Sequence, residues 1–278
     1  MQSNREIYFE LLKYKNEYLT EYVIKLLLCK YGGYESFTEL SLKFDEINEN
    51  KELIYKKSKE ISSGAPFQYV MNEAYFLDDK YYVDENVLIP RQETEQLIME
   101  ITKKTQDLQS FCPQYICDLC TGSGILAIEM KKRFPNAHVV ATDIDEKALK
   151  VADKNARDKG KHIIFEKGSI VEPLIGKYRF DILISNPPYI ENEATVDKQV
   201  LKYEPHIALF SKPGTYFYEI ILKNINDLMN EKFLIGFEIG EDQVDKLKSL
   251  IDIYLKNINY EFKIDLYNKP RFLLIWKF

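Results

Sequence analysis

No apolar run in the chain approaches the roughly 20 residues of a membrane span, and its polar, charged first residues show no signal-peptide pattern. A cytoplasmic chain without a membrane partner is the expectation. Cysteine is scarce as well. Cys29, Cys112, Cys117 and Cys120 are too few and too unevenly spread to form a disulfide framework across 278 residues. Cys117 and Cys120 do have CxxC spacing, but no second ligand pair accompanies them. They also lie in what reads as a strand, where positions three apart point to opposite faces. No metal site is expected, and both side chains read as small buried apolar groups. Surplus basic charge is missing too. Against 44 Asp and Glu there are 38 Lys and Arg, a net charge of -6, which argues against broad electrostatic binding of nucleic acid. The chain has no internal repeat and no low-complexity segment. Its length and 45% hydrophobic content can supply a sizeable core, and two unequal domains are expected.

The first of these is helical. Up to about residue 72, apolar residues recur at helical spacing, with Ile7, Leu11 and Leu12 followed by Tyr18, Tyr22, Leu26 and Leu27. Gly32-Gly33 interrupts, Ser36 or Thr38 is placed to cap the next helix, and a further stretch with Leu53, Ile54 and Ile61 ends near Ser62-Ser63-Gly64. The texture then changes. Tyr75-Phe76-Leu77 and Tyr81-Tyr82-Val83 flank Asp78-Asp79-Lys80, which predicts a hairpin linking the domains over residues 73–91. The larger domain, 92–278, opens with a helix carrying Leu97, Ile98 and Ile101.

From Pro113 onwards, strands and helices alternate. Strands are predicted near 115–119, 138–142, 162–166, 180–185, 233–239, 260–266 and 271–277, and helices over 124–133, 145–159, 215–230 and 241–256. The pattern implies an α/β fold of Rossmann-like type, with a mainly parallel seven-stranded sheet covered on both faces. Only Tyr267-Asn268-Lys269-Pro270 separates the last two strands. So short a link holds no crossover helix, and the final pair must be antiparallel.

Chemistry gathers at the carboxyl ends of the early strands. Asp118-Leu119 runs into Cys120-Thr121-Gly122-Ser123-Gly124, a glycine turn from strand to helix that lets a ligand approach the backbone and the helix N-terminus. A plain tight turn would look the same. The next strand ends in Asp143, about twenty residues on, where a carboxylate can accept from both hydroxyls of a ribose. The alternative is an Asp that caps the following helix, and its two oxygens allow both roles. After the third strand come Ser169 and Ile170. Either they bond and cover a purine ring, or they are a turn residue and a packing residue.

The fourth strand, Phe180–Ser185, stops at Asn186-Pro187-Pro188-Tyr189. Pro187 and Pro188 remove two consecutive N–H groups and stiffen the loop, which leaves a corner rich in acceptors beside an amide and a flat ring. Such a corner suits a planar group carrying N–H donors, set opposite a nucleoside. The missing third glycine and this corner favour a sulfonium nucleoside, S-adenosylmethionine, over a dinucleotide.

At the level of whole motifs, the chain resembles the protein-(glutamine-N5) methyltransferases of peptide chain release factors, the HemK or PrmC family. Val87-Leu88-Ile89-Pro90-Arg91-Gln92-Glu93-Thr94-Glu95 resembles the family's VLIPRPETE, with Gln92 in place of the second Pro. Asp118 to Gly124 resembles DLGTGSG, and Ser185 to Ile190 resembles SNPPYI. Tyr203-Glu204-Pro205 with Ala208-Leu209, and Phe237-Glu238-Ile239-Gly240 with Gln243, resemble later blocks. Their order and spacing cover nearly the whole chain. Cys120 stands where the family usually has the first glycine, and Ser169 where it usually has Asp. If Cys120 adopts positive φ, its Cβ costs about 1 kcal/mol.

The resemblance implies a class I S-adenosylmethionine-dependent methyltransferase with a small helical N-terminal domain. It implies methyl transfer to the side-chain nitrogen of a glutamine in a Gly-Gly-Gln motif of release factors. Cys120, Thr121, Gly122, Ser123, Gly124, Asp143, Ser169, Ile170 and Asn186 would hold the cofactor. Asn186, Pro187, Pro188, Tyr189 and Arg91 would hold the substrate, with Asn186, Pro187 and Tyr189 catalytic. Asn186, through its side-chain oxygen, and Pro187, through its carbonyl, would accept the two amide hydrogens, while Tyr189 packs on the amide plane. Residues 1–72 are expected to dock the release factor, because a single glutamine loop offers little surface. Two rival readings are a methyltransferase of exocyclic amino groups in RNA or DNA, and a non-catalytic nucleoside-binding protein. The acidic balance weighs against the first and the intact Asn186 corner against the second.

Overall fold

The computed structural model describes residues 2–108 and 111–278. They cluster into two units, Met1–Glu73 with Asp197–Tyr203, and Ala74–Val196 with Glu204–Phe278.

Helices α1 (Asn4–Leu12), α2 (Glu21–Gly32), α3 (Phe37–Leu42), α4 (Lys51–Ser62) and α5 (Phe67–Met71) make up most of the first unit. Their ends follow from capping chemistry. Ser3 forms a reciprocal capping box with Glu6, Thr20 accepts from the Val23 N–H, and Ser36 accepts from the Glu39 N–H. Ile7, Leu11, Ile24, Leu27, Ile54 and Ile61 are fully or almost fully buried and share one core. Tyr22 and Leu53 fall on the predicted apolar stripe, yet both are exposed.

The second unit begins with a two-stranded antiparallel hairpin, β1 (Ala74–Phe76) and β2 (Asp79–Tyr81). Then follow α6 (Gln92–Asp107), β3 (Tyr115–Leu119), α7 (Ile125–Arg133), β4 (His138–Asp143), α8 (Glu146–Asp158), β5 (Ile164–Lys167) and β6 (Phe180–Ser185). After α9 (Lys198–Tyr203), which clusters with the first unit, come α10 (Tyr216–Lys223), α11 (Ile225–Leu228), β7 (Met229–Glu238), α12 (Val244–Tyr254), β8 (Asn259–Ile264) and β9 (Pro270–Lys277).

The seven-stranded sheet has the order β5-β4-β3-β6-β7-β9-β8. Strands β3 to β7 pair in parallel, and β9 is antiparallel to both β7 and β8. Alternation along each strand sorts the core into two layers. Cys117, Leu183, Ile235 and Leu273 join Tyr218 of α10 and Leu247 of α12 on one face. Ile116, Ile182, Leu234 and Leu274 join Leu97 of α6 and Ile128 of α7 on the other. A sheet covered on both faces leaves its strand ends as the exposed backbone, and the strand order reverses direction between β3 and β6. Ligands of open α/β sheets collect at such a switch point.

Among the described residues no helix is long and apolar enough to cross a membrane, and no group of three or more His, Cys, Asp or Glu could hold a metal ion. The helix predicted over 215–230 is two helices. At Asn224 the side-chain amide donates 2.8 Å to the Ile220 carbonyl, competing with the backbone ladder, and the strand that follows starts early, at Met229.

Candidate active site

Asp118 closes β3 and organises the turn after it. Its wholly buried carboxylate accepts from the Thr121 hydroxyl and, at 3.0 Å, from the Ala127 N–H in the first turn of α7. The turn between them takes positive φ at Cys120 (60°), Gly122 (53°) and Gly124 (80°). A Cβ on Gly124 would meet the Ala152 Cβ at 2.9 Å, so glycine is needed there for close packing as well as for conformation. Cys120 carries its Cβ in the left-handed region, at a cost of about 1–2 kcal/mol. Burial pushes the Asp118 carboxyl up to about 7, outweighing the bonds from Thr121 and Ala127. Its other oxygen, Oδ1, has no hydrogen-bond partner among the described residues.

Asp143 ends β4 beside this turn. One carboxylate oxygen accepts from the Gly122 N–H and the other from the Asp145 N–H, each at 2.9 Å. Burial raises its carboxyl above the ordinary range, and backbone N–H groups of Asp145, Gly122 and Ile144 oppose that shift. The cap of α8 is Asp145, which accepts from the Lys147 N–H at 2.8 Å. Asp143 is thus a brace between the two loops. A carboxylate's two oxygens offer about four lone-pair sites, so Asp143 keeps acceptor capacity beyond its backbone bonds.

After β5, the Gly168 N–H donates to the Asp143 carbonyl at 3.1 Å, and Ile170 is buried with φ at 47°. That is an uncommon conformation for a β-branched residue. After β6, the Ser185 hydroxyl donates 2.6 Å to the Leu119 carbonyl, which ties the ends of β3 and β6 together. Pro187 and Pro188 are buried. The Asn186 Nδ2 donates 3.2 Å to Thr94 Oγ1, and the Thr94 hydroxyl donates 2.7 Å to Glu238 Oε2. Glu238 Oε1 accepts from the Tyr189 hydroxyl at 3.3 Å, and the Tyr189 carbonyl accepts from the Gln243 amide at 3.2 Å.

These loops enclose a cavity of about 270 Å³. Cys120 to Ser123, Asp143, Ser169, Ile170, Asn186 and Pro188 all line it, with Phe76, Leu126, Ile144 and Phe217 adding apolar wall. Gly124 stands behind the wall, against Ala152. Pro187 and Tyr189 do not line the cavity; the Tyr189 ring packs against the core and its hydroxyl is held by Glu238.

Comparison with known proteins gives the family. A family model described as Methyltransferase small domain matches residues 94–203. The release factor glutamine methyltransferase of Mycoplasma mycoides subsp. mycoides is 37% identical, over 77% of this chain and 77% of its own. That of Bacillus subtilis is 33% identical over 95% of each chain. The chain belongs to the release factor glutamine methyltransferase family. Among solved structures, the T. Thermophilus 16S rRNA N2 methyltransferase RsmC, in complex with AdoMet and guanosine, covers 74% of this chain and 50% of its own. Its TM-score of 0.54 at 14% identity is a likeness of fold, that of the class I methyltransferases.

Within this family member, Arg91 also lines the cavity, where its guanidinium meets Glu204 Oε1 at 2.5 Å. Glu204 is nearly inaccessible, and its second oxygen accepts from the Ile89 N–H at 3.1 Å, so the stretch before α6 is stapled to the chain that returns after α9. Sequence reasoning quoted Thr94, Glu204, Glu238 and Gln243 as parts of motifs but gave them no chemistry. Glu238 had a usable signal, since it is the one carboxylate in the apolar run Phe233 to Ile239. A buried charge in such a run needs a partner.

Proposed function

We propose that this family member transfers a methyl group from S-adenosylmethionine to the side-chain amide nitrogen (N5) of the glutamine in the Gly-Gly-Gln motif of peptide chain release factors. The observation that carries the proposal is Asn186 and Pro188 on the wall of the cavity that also holds the glycine loop and Asp143. The donor and acceptor set fits the nucleoside. Asp143 reaches the cavity with acceptor capacity left on its carboxylate, suited to the paired hydroxyls of a ribose. Ile144 and Ile170 supply apolar surface for a base, Ser169 supplies a hydroxyl for its edge, and the turn from Cys120 to Gly124 supplies close backbone approach. S-adenosylmethionine brings a methyl group on a positively charged sulfur.

The residues of the chain provide orientation. An amide nitrogen is a weak nucleophile because its lone pair is delocalised into the carbonyl. Asn186 Oδ1, on the cavity wall, accepts an amide hydrogen, which turns the nitrogen toward the donor and favours its pyramidal form as positive charge develops; the Pro187 carbonyl expected for the second hydrogen lies off that wall in this structure. Pro187 and Pro188 keep competing N–H donors out of the corner. Tyr189 closes it from behind, through its bond to Glu238. Arg91, fixed by Glu204, faces the cavity as a cation for polar groups of the substrate.

The test is mass spectrometry of a release factor after incubation with the enzyme and S-adenosylmethionine. One methyl on the Gly-Gly-Gln glutamine is expected, and an unmodified release factor would sink the proposal. Asn186→Ala is expected to lower kcat by about 100-fold or more, while calorimetry finds cofactor binding largely retained.

A further inference from the structure

The amide of Asn186 has two ends of similar shape, and only one of them can accept a hydrogen bond from a substrate amide. What decides between them lies outside the corner itself. Thr94, on the first turn of α6, and Glu238, at the end of β7, are both nearly inaccessible, at 7% and 3% exposure. The Thr94 hydroxyl has a single proton. It stands 2.7 Å from a carboxylate oxygen, and an ionised carboxylate can only accept, so the proton is committed to Glu238. Toward Asn186, at 3.2 Å, Thr94 Oγ1 has only lone pairs to offer. The amide must therefore answer with its nitrogen, and the opposite flip would set oxygen against oxygen with no proton between them. Glu238 fixes the second half of the corner too, since its other oxygen takes the Tyr189 hydroxyl.

We propose that Thr94 and Glu238 are positioning residues that set the polarity of the Asn186 amide, so that its oxygen and not its nitrogen is presented to the N–H donors of the substrate. The inference rests on the methyl-transfer reading above and deepens it. Its chemistry includes a reversal. A protonated Glu238 can donate to Thr94, whose own proton is then free to turn to Asn186 and to hold the amide oxygen instead of the nitrogen. The groups facing Glu238 are Thr94 and Glu93 from α6, Tyr189 from the β6 loop and Arg271 from β9. Tyr218 donates to the Glu238 backbone carbonyl at 2.7 Å and leaves the carboxylate to the others. Arg271 is itself held by Asp265 at 3.3 Å and the Ile239 carbonyl at 3.2 Å. Burial raises the Glu238 carboxyl, against the Thr94 bond and the Arg271 charge, so the reversal belongs at a pH above the ordinary carboxylate range.

The experiment compares kcat for release factor methylation, and the Kd of S-adenosylmethionine, in the wild type and in Thr94→Val, Thr94→Ser and Glu238→Gln. Thr94→Val is expected to lower kcat between about 10- and 100-fold with Kd within about twofold of wild type, and Thr94→Ser to restore it. Glu238→Gln, whose amide can donate to Thr94 at every pH, is expected to lower kcat and to abolish the acid limb of the wild-type kcat profile. A Thr94→Val enzyme with wild-type kcat overturns the proposal. So does one that loses cofactor affinity in step with kcat, because that would make Thr94 a packing residue. If Thr94→Val does not fold, the Glu238→Gln profile decides, and an unchanged acid limb overturns the proposal. A wild type that methylates no release factor overturns instead the reading on which the inference rests.

Discussion

Asp118 shows how a single side chain can hold a loop together and still work against the fold. Its carboxyl is pushed from 3.8 up to about 7, chiefly by burial. A raised carboxyl binds its proton more tightly folded than unfolded. Between about pH 4 and pH 7 the native state therefore holds the extra proton, and stability falls as pH rises through that window. The difference of about 3 units, at 1.36 kcal/mol each, sets a ceiling of about 4 kcal/mol on the effect. Asp118→Asn, neutral throughout, is expected to flatten the dependence of urea-unfolding stability on pH over that range. Asp143 and Glu238, raised in the same direction, contribute slopes of the same sign, while lowered carboxylates such as Asp79 and Glu129 contribute the opposite sign toward pH 4. A variant whose slope matched wild type would show that Asp118 is not the group responsible. At this scale the sequence was partly legible. Spacing places Asp143 at the end of β4 near the glycine turn, but the helix cap offered as its alternative role falls to Asp145. The positive φ of Cys120 is conditional on the glycine position of the family the chain resembles, and the turn does adopt it. Thr94 and Glu238, 144 positions apart, could not be paired by any local pattern, because only the register of β7 beside α6 brings them together.

Elements were legible where the period was clean and less so where tertiary partners intervene. The strands at 115–119 and 180–185 came out at their full length because each is a short apolar run with an abrupt stop. The hairpin came out shifted. The sequence puts Asp79 and Lys80 in its turn, yet both lie in β2, and Leu77, with φ at 51°, takes the bend with Asp78. The reason is electrostatic. Burial pushes the Asp79 carboxyl up, but Lys132 of α7 and Lys159 beyond α8 outweigh it and hold it at about 2, which commits Asp79 to that side of the strand. Asn155 of α8 fastens the same segment. Its side chain accepts from the Tyr82 N–H at 2.7 Å and donates to the Tyr82 carbonyl at 2.9 Å and the Ser123 carbonyl at 2.8 Å. One buried amide thus joins the segment after the hairpin to the glycine turn after β3. Asn155→Ala leaves the buried Ser123 carbonyl and the partly buried Tyr82 N–H and carbonyl short of partners, and a loss of about 2–4 kcal/mol is expected in denaturant unfolding. Because Ser123 lines the cavity, the Kd of S-adenosylmethionine should rise in the same variant. Unchanged affinity with reduced stability would separate the brace from the site.

Over the whole molecule, the chain crosses between its two units more than once. Residues 197–203 cluster with the helical unit, although they follow the Asn186 corner in sequence and precede Glu204, which belongs to the catalytic unit. No shift of composition marks that segment, whereas the aromatic and β-branched texture near Ala74 is plain. The second unit has a core layer on each face of its own sheet, and the cavity proposed for the cofactor is lined by its own residues. A glutamine in a surface loop gives that unit little area to recognise, well below the 1,200–2,000 Å² or so of a stable protein interface. We therefore propose that docking of the release factor falls to the helical unit. A chain starting at Ala74, with residues 197–203 replaced by a Gly/Ser linker of equal length, is expected to bind S-adenosylmethionine within about threefold of the full chain. Its kcat/KM on intact release factor should fall about 100-fold, a loss of about 2.7 kcal/mol of transition-state binding. On a short Gly-Gly-Gln peptide, which lacks the surface to engage a second unit, the two proteins should perform alike. Equal turnover of intact release factor by the shortened chain would remove docking from the helical unit and return all of the recognition to the walls of the cavity.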